Sequence, residues 1–511
     1  MHSDCADKSM QPVVERSIME RIEKLQDIRS KSGKAVTVGL DDAVIKDFLA
    51  SDSSLGQAID EAYDAFQAMA KESPELVVME EMALIAELQK DFVNFYAENA
   101  VNPYVSISAV GPWLVTSHGA VLHDSGGYGM LGFGHSPKDV LEAMNGHHVM
   151  ANVMTANLSQ KRIVERLKKE IGYTRNGCSY DKFLCLNSGS ESVTVATRIS
   201  DLNARKVTDP GGRHEGKDIK LMAMKGGFHG RTDRPAQASD STLKAYQKLA
   251  SFRDRKNLLA VEMNNIEELR AAFSQAEKDN VFIEMVLMEP VMGEGNPGVG
   301  VNRDFYDEAR KLTKANGTLM LVDSIQAGLR AHGCLSITDY PGFQDCEAPD
   351  METYSKAVNA GQYPLSILAM QGDVAAIYER GVYGNTMTTN PRALEVACAV
   401  LDSVTPALRE NIVARGKEFI EKFEGLKSEF PDVVTGVSGT GLLFALHLKK
   451  DGYVVVGDEC VEAYMRNVGV GVIHGGENAL RFTPHFNITS KEVDLIVNKI
   501  RETLKRGPVY K

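Results

Sequence analysis

From about residue 180 to about residue 370 the chain alternates short apolar runs with helical patterns, and this rhythm constrains its fold more than any other feature. The runs are DKFLCLNSG, IKLMAMKGG, LLAVEM, FIEMVLMEP, LMLVDS and PLSILAM, each halted at Gly, Pro or an acid. Between them, SESVTVATRISDLNARK and NRDFYDEARKLTKANG space their apolar residues as amphipathic helices do. Strands alternating with helices predict an α/β region built on a mainly parallel sheet. Ligands of such sheets bind beyond the carboxyl ends of the strands, so chemistry should be sought where the runs stop.

The flanks read differently. VVERSIMERIEKLQDI and LVVMEEMALIAELQKDFVNFYAE carry helical periodicity without chemistry, and predict a helical extension packed on the main body or on a partner subunit. From about residue 104, VSISAVGPWLVTSHGAVLHD predicts short strands with glycine turns, and a Gly-rich loop then leads into a helix at SPKDVLEAM. Beyond about residue 400, GTGLLFALHL and LRFTPHF read as strands between the helices PALRENIVARGKEFIEKFEGLKSEF and SKEVDLIVNKIRETLKR, an α+β pattern.

At 511 residues the chain is too long for one ordinary core. A net charge of −12 and the lack of a basic tract argue against nonspecific nucleic-acid binding. Seven scattered cysteines with no C-x-x-C pair predict reduced thiols in a cytoplasmic compartment, with neither a disulfide frame nor a metal site. The N-terminus has no apolar core of a secretory signal and is a poor transit peptide, and no apolar run is long enough to span a bilayer.

Four strand ends carry candidate chemistry. In NSGSES, Gly189 permits a tight turn, and Ser190 with the following N–H groups opens a helix where an anion is favoured; an ordinary turn with a serine cap reads equally well. The lysine of a P-loop is missing. Asp323 ends the apolar run LMLV, where a buried carboxylate needs a cationic or hydrogen-bonding partner or merely caps a turn. Gln326, three residues on, is placed to donate to a ligand oxygen. Lys356 follows Asp323 by 33 residues, and a lysine held neutral can form a Schiff base, although most lysines are solvated surface groups. In KGGFHGRT, Phe228 can stack on a planar ring or fill core, and Arg231 can grip a carboxylate or sit as a surface charge.

Order and spacing add what each motif lacks. NSGSES, FHGRT, MEPVMGEG, VDSIQAG, SKAVNAGQYP and YGNTMTTNP resemble, in sequence order, the NSGSEA, FHGRT, EPxQGEGG, DEVQTG, GKxLGGGxP and HGxTxGGNP elements of class III aminotransferases. The resemblance spans about residue 104 to the C-terminus. It implies a pyridoxal-phosphate (PLP) enzyme of fold type I: an α/β large domain on a mainly parallel sheet, a smaller α+β domain, and the helical N-terminal extension. On that basis residues 1–100 form the extension, 101–165 the first part of the small domain and entry to the large, 166–400 the large cofactor-binding domain, and 401–511 the C-terminal small domain.

The resemblance also implies roles. Lys356 is the Schiff-base lysine and general base, and Asp323 pairs with the pyridine nitrogen. Gly189 and Ser190 hold the phosphate, joined by Thr386 from the neighbouring subunit of an obligate homodimer. Phe228 stacks on the ring with His229 beside it, Ile325 packs on the opposite face, Gln326 touches the ring hydroxyl, and Glu289 supports the site from behind. Tyr128, Arg231, Glu294 and Arg481 resemble substrate-side residues of relatives acting on terminal amines, with Glu294 shielding Arg481. For Glu294 and Arg481 a structural salt bridge is the plainer expectation. The implied reaction moves an amino group, from an ω-amine, to an oxo acid such as 2-oxoglutarate by ping-pong chemistry. An aminomutase or decarboxylase on the same fold is the alternative, and a PLP-binding assembly protein the reading from another class. Three elements depart from the family: Ser324 replaces an acid, SKAVNAGQYP is poorer in glycine, and NTMTTNP lacks the double glycine before Asn390.

Overall fold

The computed structural model describes residues 4–96, 100–253 and 257–507, with side chains from residue 15 onward, so Cys5 lies outside the described side chains. Three sheets organise the chain. Strands β1 (Ser106–Val110), β2 (Trp113–Thr116) and β3 (Val121–Asp124) form an antiparallel meander. A seven-stranded sheet follows, made of β4 (Lys182–Leu186), β5 (Asp218–Met224), β6 (Leu258–Val261), β7 (Val281–Met288), β8 (Leu319–Asp323), β9 (Met351–Tyr354) and β10 (Ser366–Met370). The last strands are β11 (Val434–Thr440), β12 (Leu443–Leu448), β13 (Val470–Gly471), β14 (Ile473–Gly475) and β15 (Ala479–Phe482).

The central sheet has the order β4-β10-β9-β8-β7-β5-β6. Its strands run in one direction except β10, which is antiparallel to both neighbours. Every residue of β7, β8 and β10 is buried, as expected of a sheet covered on both faces. All six runs read from the sequence are strands. Four strands were not read: β9, β11, and β13 and β14, which are only two and three residues long. In β9 the charged Glu352 interrupts the apolar pattern, and β11 (VTGVSGT) is glycine-rich and only partly buried.

β13 pairs in parallel with β3, His123 opposite Val470, so chain from before and after the central sheet meets in one sheet. Strands β11, β12, β15 and β14 form a separate antiparallel sheet.

The N-terminal helices pack on their own chain. Ile22, Leu25, Ile45, Leu55 and Ile59 share a core with Val110, Trp113, Val115, Val121 and Leu495. Trp113 is fully buried, with Nε1 donating to Asp52 Oδ2 at 2.6 Å. The long helix expected over LVVMEEMALIAELQKDFVNFYAE breaks into Pro74–Val77 and Glu81–Gln89. Tertiary hydrogen bonds replace helical ones at the break: Gly33 N donates to Val77 O, Glu81 N donates to Lys34 O, and Glu81 Oε2 accepts from the N–H groups of Val36 and Thr37.

Among the described residues no helix is long and apolar enough to cross a membrane.

Candidate active site

The motif residues leave the sheet at the carboxyl ends of its co-directional strands: NSGSES after β4, KGGFHGRT after β5, Glu289 after β7, Asp323 at the end of β8, and Lys356 just after β9. They converge on a cavity of about 170 Å³ lined by Gly189, Ser190, Phe228, His229, Asp323, Ile325, Gln326 and Lys356, together with Ser188, Gly230 and Ser355.

One end of the cavity is a helix start. Ser188 caps the helix Gly189–Thr208, its side chain accepting from Glu191 N. As first-turn residues, Gly189 and Ser190 have no intrahelical acceptor for their N–H groups, which suits an anion. Close packing demands glycine here. A Cβ on Gly189 would lie 2.5 Å from Ile325 Cδ1, and one on Gly230 (φ +118°) would lie 2.2 Å from Ser190 Oγ.

The other end holds the ionisable groups. Asp323 is buried and accepts from Ile325 N at 3.2 Å. His229 Nδ1 lies 2.9 Å from Asp323 Oδ2, so His229 grips the carboxylate from behind. Burial works against charge on His229, but the hydrogen bond and charge of Asp323 outweigh it and raise the imidazole pKa. Its buried Nε2 has no hydrogen-bond partner among the described residues. Glu289 accepts from Phe228 N at 3.0 Å and Gly293 N at 2.8 Å, bracing the loop behind Phe228, and burial pushes its carboxyl up to about 7. Burial also holds the Lys356 amine below the usual lysine range, against the pull of Asp323 and Glu294. Lys356 adopts φ +47°, a left-handed conformation rare for a side-chain-bearing residue and one associated with functional sites.

A second cavity of about 400 Å³ is lined by Tyr128, Arg231, Glu294 and Arg481. Arg481 is buried in its wall. Its Nη1 donates to Gly293 O and, at 3.3 Å, to Gln326 Oε1, so one guanidinium touches residues of both cavities. Arg481 Nε has no partner, and no ion pair joins Arg481 to Glu294, so the plainer expectation of a structural salt bridge is not met among these described residues. Arg481 also lies over the Tyr128 ring, 5.5 Å from its centroid. Arg231 is exposed and lies over the rings of Phe228 and Tyr96.

Tyr96 and His474 line this second cavity too, and neither was read from the sequence. Tyr96 stacks on Tyr128 with centroids 6.2 Å apart, but in sequence it merges with a helical pattern. His474 donates or accepts through Nδ1 at Glu462 Oε2, 2.9 Å away, and no local motif marks it. Thr386 lines neither cavity; it is exposed on the loop that Glu191 ties to the helix start through Tyr383 and Asn385. Ser324 turns away from both cavities into the core, donating to Glu352 Oε1 at 2.6 Å, so that departure from the family is absorbed by β9.

An anion site, a buried carboxylate and a neutral-leaning lysine around one slot fit a phosphorylated pyridine aldehyde. The unpartnered His229 nitrogen and the glycine-floored helix start agree with this. Fold and site together define a PLP-dependent enzyme of fold type I. The sequence profile described as aminotransferase class-III matches residues 95–504, and the chain belongs to that family. It is 26% identical over 394 residues to an acetylornithine aminotransferase of Prochlorococcus marinus subsp. pastoris, covering 76% of this chain and 89% of the relative. It is 27% identical over 410 residues to an ornithine aminotransferase of Staphylococcus carnosus, covering 78% and 94%. Among solved structures, the ornithine aminotransferase of Toxoplasma gondii ME49 superposes with a TM-score of 0.72 at 21% identity, covering 86% of this chain and 98% of that one. The protein is a PLP-dependent aminotransferase acting on a small amine donor and an oxo-acid acceptor, and these relatives lend no support to the aminomutase or decarboxylase alternative.

Proposed function

We propose that the enzyme transfers the terminal amino group of an amino acid, of the ornithine or acylated-ornithine type, to 2-oxoglutarate. The observation that carries this is Arg481: a buried guanidinium with a free Nε, sharing its cavity with Glu294 but not paired to it. Such an arginine is available to an α-carboxylate and can be screened by the neighbouring glutamate when an ω-amine donor is bound. Exposed Arg231, which lines the same cavity, is the candidate for a second carboxylate. The names of the relatives point to the same class of donor.

When bound, PLP supplies a carbonyl carbon for amine exchange and a ring that accepts the electron pair left by a broken C–H bond. The chain does the rest. Asp323 would hold a proton at the pyridine nitrogen, and His229 holds Asp323. The N–H groups of Gly189 and Ser190 anchor the phosphate. Phe228 and Ile325, which line the cavity, would confine the ring, and Gln326 would donate to its hydroxyl. Lys356 Nζ removes the proton from the carbon bearing the amine. We place Thr386 against the phosphate of the partner's site, in a homodimer. Exposed Met387 on this loop, and exposed Val149 and Leu158, which line one cavity with Thr388 and Thr389, support such an interface. Six free cysteines among the described residues support a reducing, cytoplasmic setting.

Half-reactions test the substrate reading. Arg481→Ala should raise KM for 2-oxoglutarate by the equivalent of roughly 2–5 kcal/mol and damage an ω-amine donor less. Glu294→Ala should instead favour α-amino donors. Equal loss in both halves for Arg481→Ala, with Glu294→Ala silent, would remove the ω-amine assignment and leave an aminotransferase.

A further inference from the structure

Away from the active site, three side chains converge that the reaction does not use. His123 lies on β3, His485 follows β15, and Glu492 lies in the first turn of the helix Ser490–Arg506. Glu492 Oε1 stands 3.0 Å from His123 Nε2 and 2.7 Å from His485 Nε2. The three potential ligand atoms lie within 4.8 Å of one another, the one such cluster among the described residues. Their side chains are 0%, 12% and 4% exposed for His123, His485 and Glu492, so the cluster opens to solvent only at His485.

We propose that this is a divalent-metal site, a His₂Glu set suited to zinc, that clamps together the segments leading to Tyr128 and Arg481. Two imidazoles and a carboxylate are the donors zinc takes, with bonds of about 2.0–2.2 Å that put tetrahedral ligands about 3.3 Å apart. The two Glu492–histidine separations would widen by about 0.3 and 0.6 Å to reach that spacing, and the two histidine nitrogens already lie within 4.8 Å of each other. The supporting contacts are already in place. Glu492 Oε2 accepts from Thr489 N and Oγ1, both at 2.7 Å, which holds Oε1 toward the histidines. His123 Nδ1 lies 3.1 Å from Ser125 Oγ. A serine hydroxyl both donates and accepts. Without metal it can donate to Nδ1 while Nε2–H points at Glu492. With metal, the proton moves to Nδ1, Ser125 accepts it, and Nε2 presents its lone pair, the outer-sphere arrangement usual for a ligating histidine. A water completes the set on the His485 side.

The clamp would join three distant pieces of chain where the substrate side is built. Thr483 N donates to Ser125 O at 2.8 Å, and Gly129 N to Thr483 Oγ1 at 3.1 Å. Tyr128 and Arg481 therefore sit on segments pinned to the same knot.

The protein's single tryptophan reports on the site, because the Trp113 ring meets His123 edge-on with centroids 5.2 Å apart. Holoenzyme freed of metal with EDTA is titrated with Co²⁺ and Zn²⁺, following visible Co²⁺ absorption, Trp113 fluorescence and melting temperature. The expected result is one Co²⁺ per chain, quenching of Trp113, displacement by Zn²⁺ and a raised melting temperature. His485→Gln, at the more open ligand, should abolish all of these while transamination in EDTA stays unchanged; His123→Gln is the second variant. The proposal is overturned if wild-type holoenzyme binds Co²⁺ no better than His485→Gln, or binds it without quenching Trp113. The three side chains then form a hydrogen-bonded network only.

Discussion

At Lys356 a positive φ, a partly buried amine and a cavity wall coincide. Strain of this kind persists where surrounding structure enforces it. Lys356→Ala should still bind PLP weakly while losing turnover by roughly 10²–10⁴-fold, the range for a general base, together with the covalent link. Borohydride reduction and peptide mapping check this, and a pyridoxyl label on any other lysine would end the assignment. Asp323 makes a different prediction, because in its proposed role it acts on electronics more than on attachment. Asp323→Ala should lower kcat by roughly 100-fold or more with a smaller loss of cofactor affinity, since the phosphate contacts proposed at Gly189 and Ser190 would remain. Near-normal turnover with PLP bound would show the carboxylate is misplaced in this account.

Elements show where local pattern is enough and where it fails. The runs ending at Asp323 and before Glu289 were legible because strand ends punctuated by acids, prolines or glycines are local features. β9 was not, since Glu352 looks like a strand breaker. Its charge is tolerated because Ser324, Ser336, Tyr180 and the Ile337 N–H all donate to it. Ala360 (φ +50°) and Thr389 (φ +57°) keep left-handed backbone where the family elements carry glycine. The changed residues thus sit in backbone conformations that glycine would adopt more readily. The N-terminal helices were readable as helices, but their docking face was not. Because Ile59 shares a core with Trp113 and Leu495, Ile59→Ala should cost roughly 2–5 kcal/mol. Denaturant unfolding followed by helical circular dichroism and by cofactor absorbance should give coincident transitions. An early helical transition that leaves the cofactor signal intact would mean the extension folds apart from the body.

The whole molecule raises the question of which chain completes which site. Thr386 lines neither cavity of its own chain, and the exposed apolar residues nearby await a cover. If Thr386 acts across a dimer, a hybrid of Lys356→Ala and Thr386→Ala chains contains one site with both groups intact, and mixing two impaired proteins should restore activity. If Thr386 serves its own chain, no site in the hybrid is whole and mixing restores nothing. Activity of the separated and mixed variants, with mass measured in solution, decides between them.

The sequence by itself determined the class of fold and marked the strand ends as candidate sites, because strand period, helix period and turn residues are short-range properties of a chain; Lys356 and Asp323 were singled out only through the order of motifs that resembles class III aminotransferases. Only the tertiary structure decided that Tyr96 stacks on Tyr128, that Ser324 pairs with Glu352 in place of facing substrate, and that Arg481 is buried without an ion pair to Glu294. It alone brought His123 against Glu492 across 369 residues. Such neighbours are set by how sheets and helices pack, and no periodicity along the chain records a contact between segments that lie so far apart.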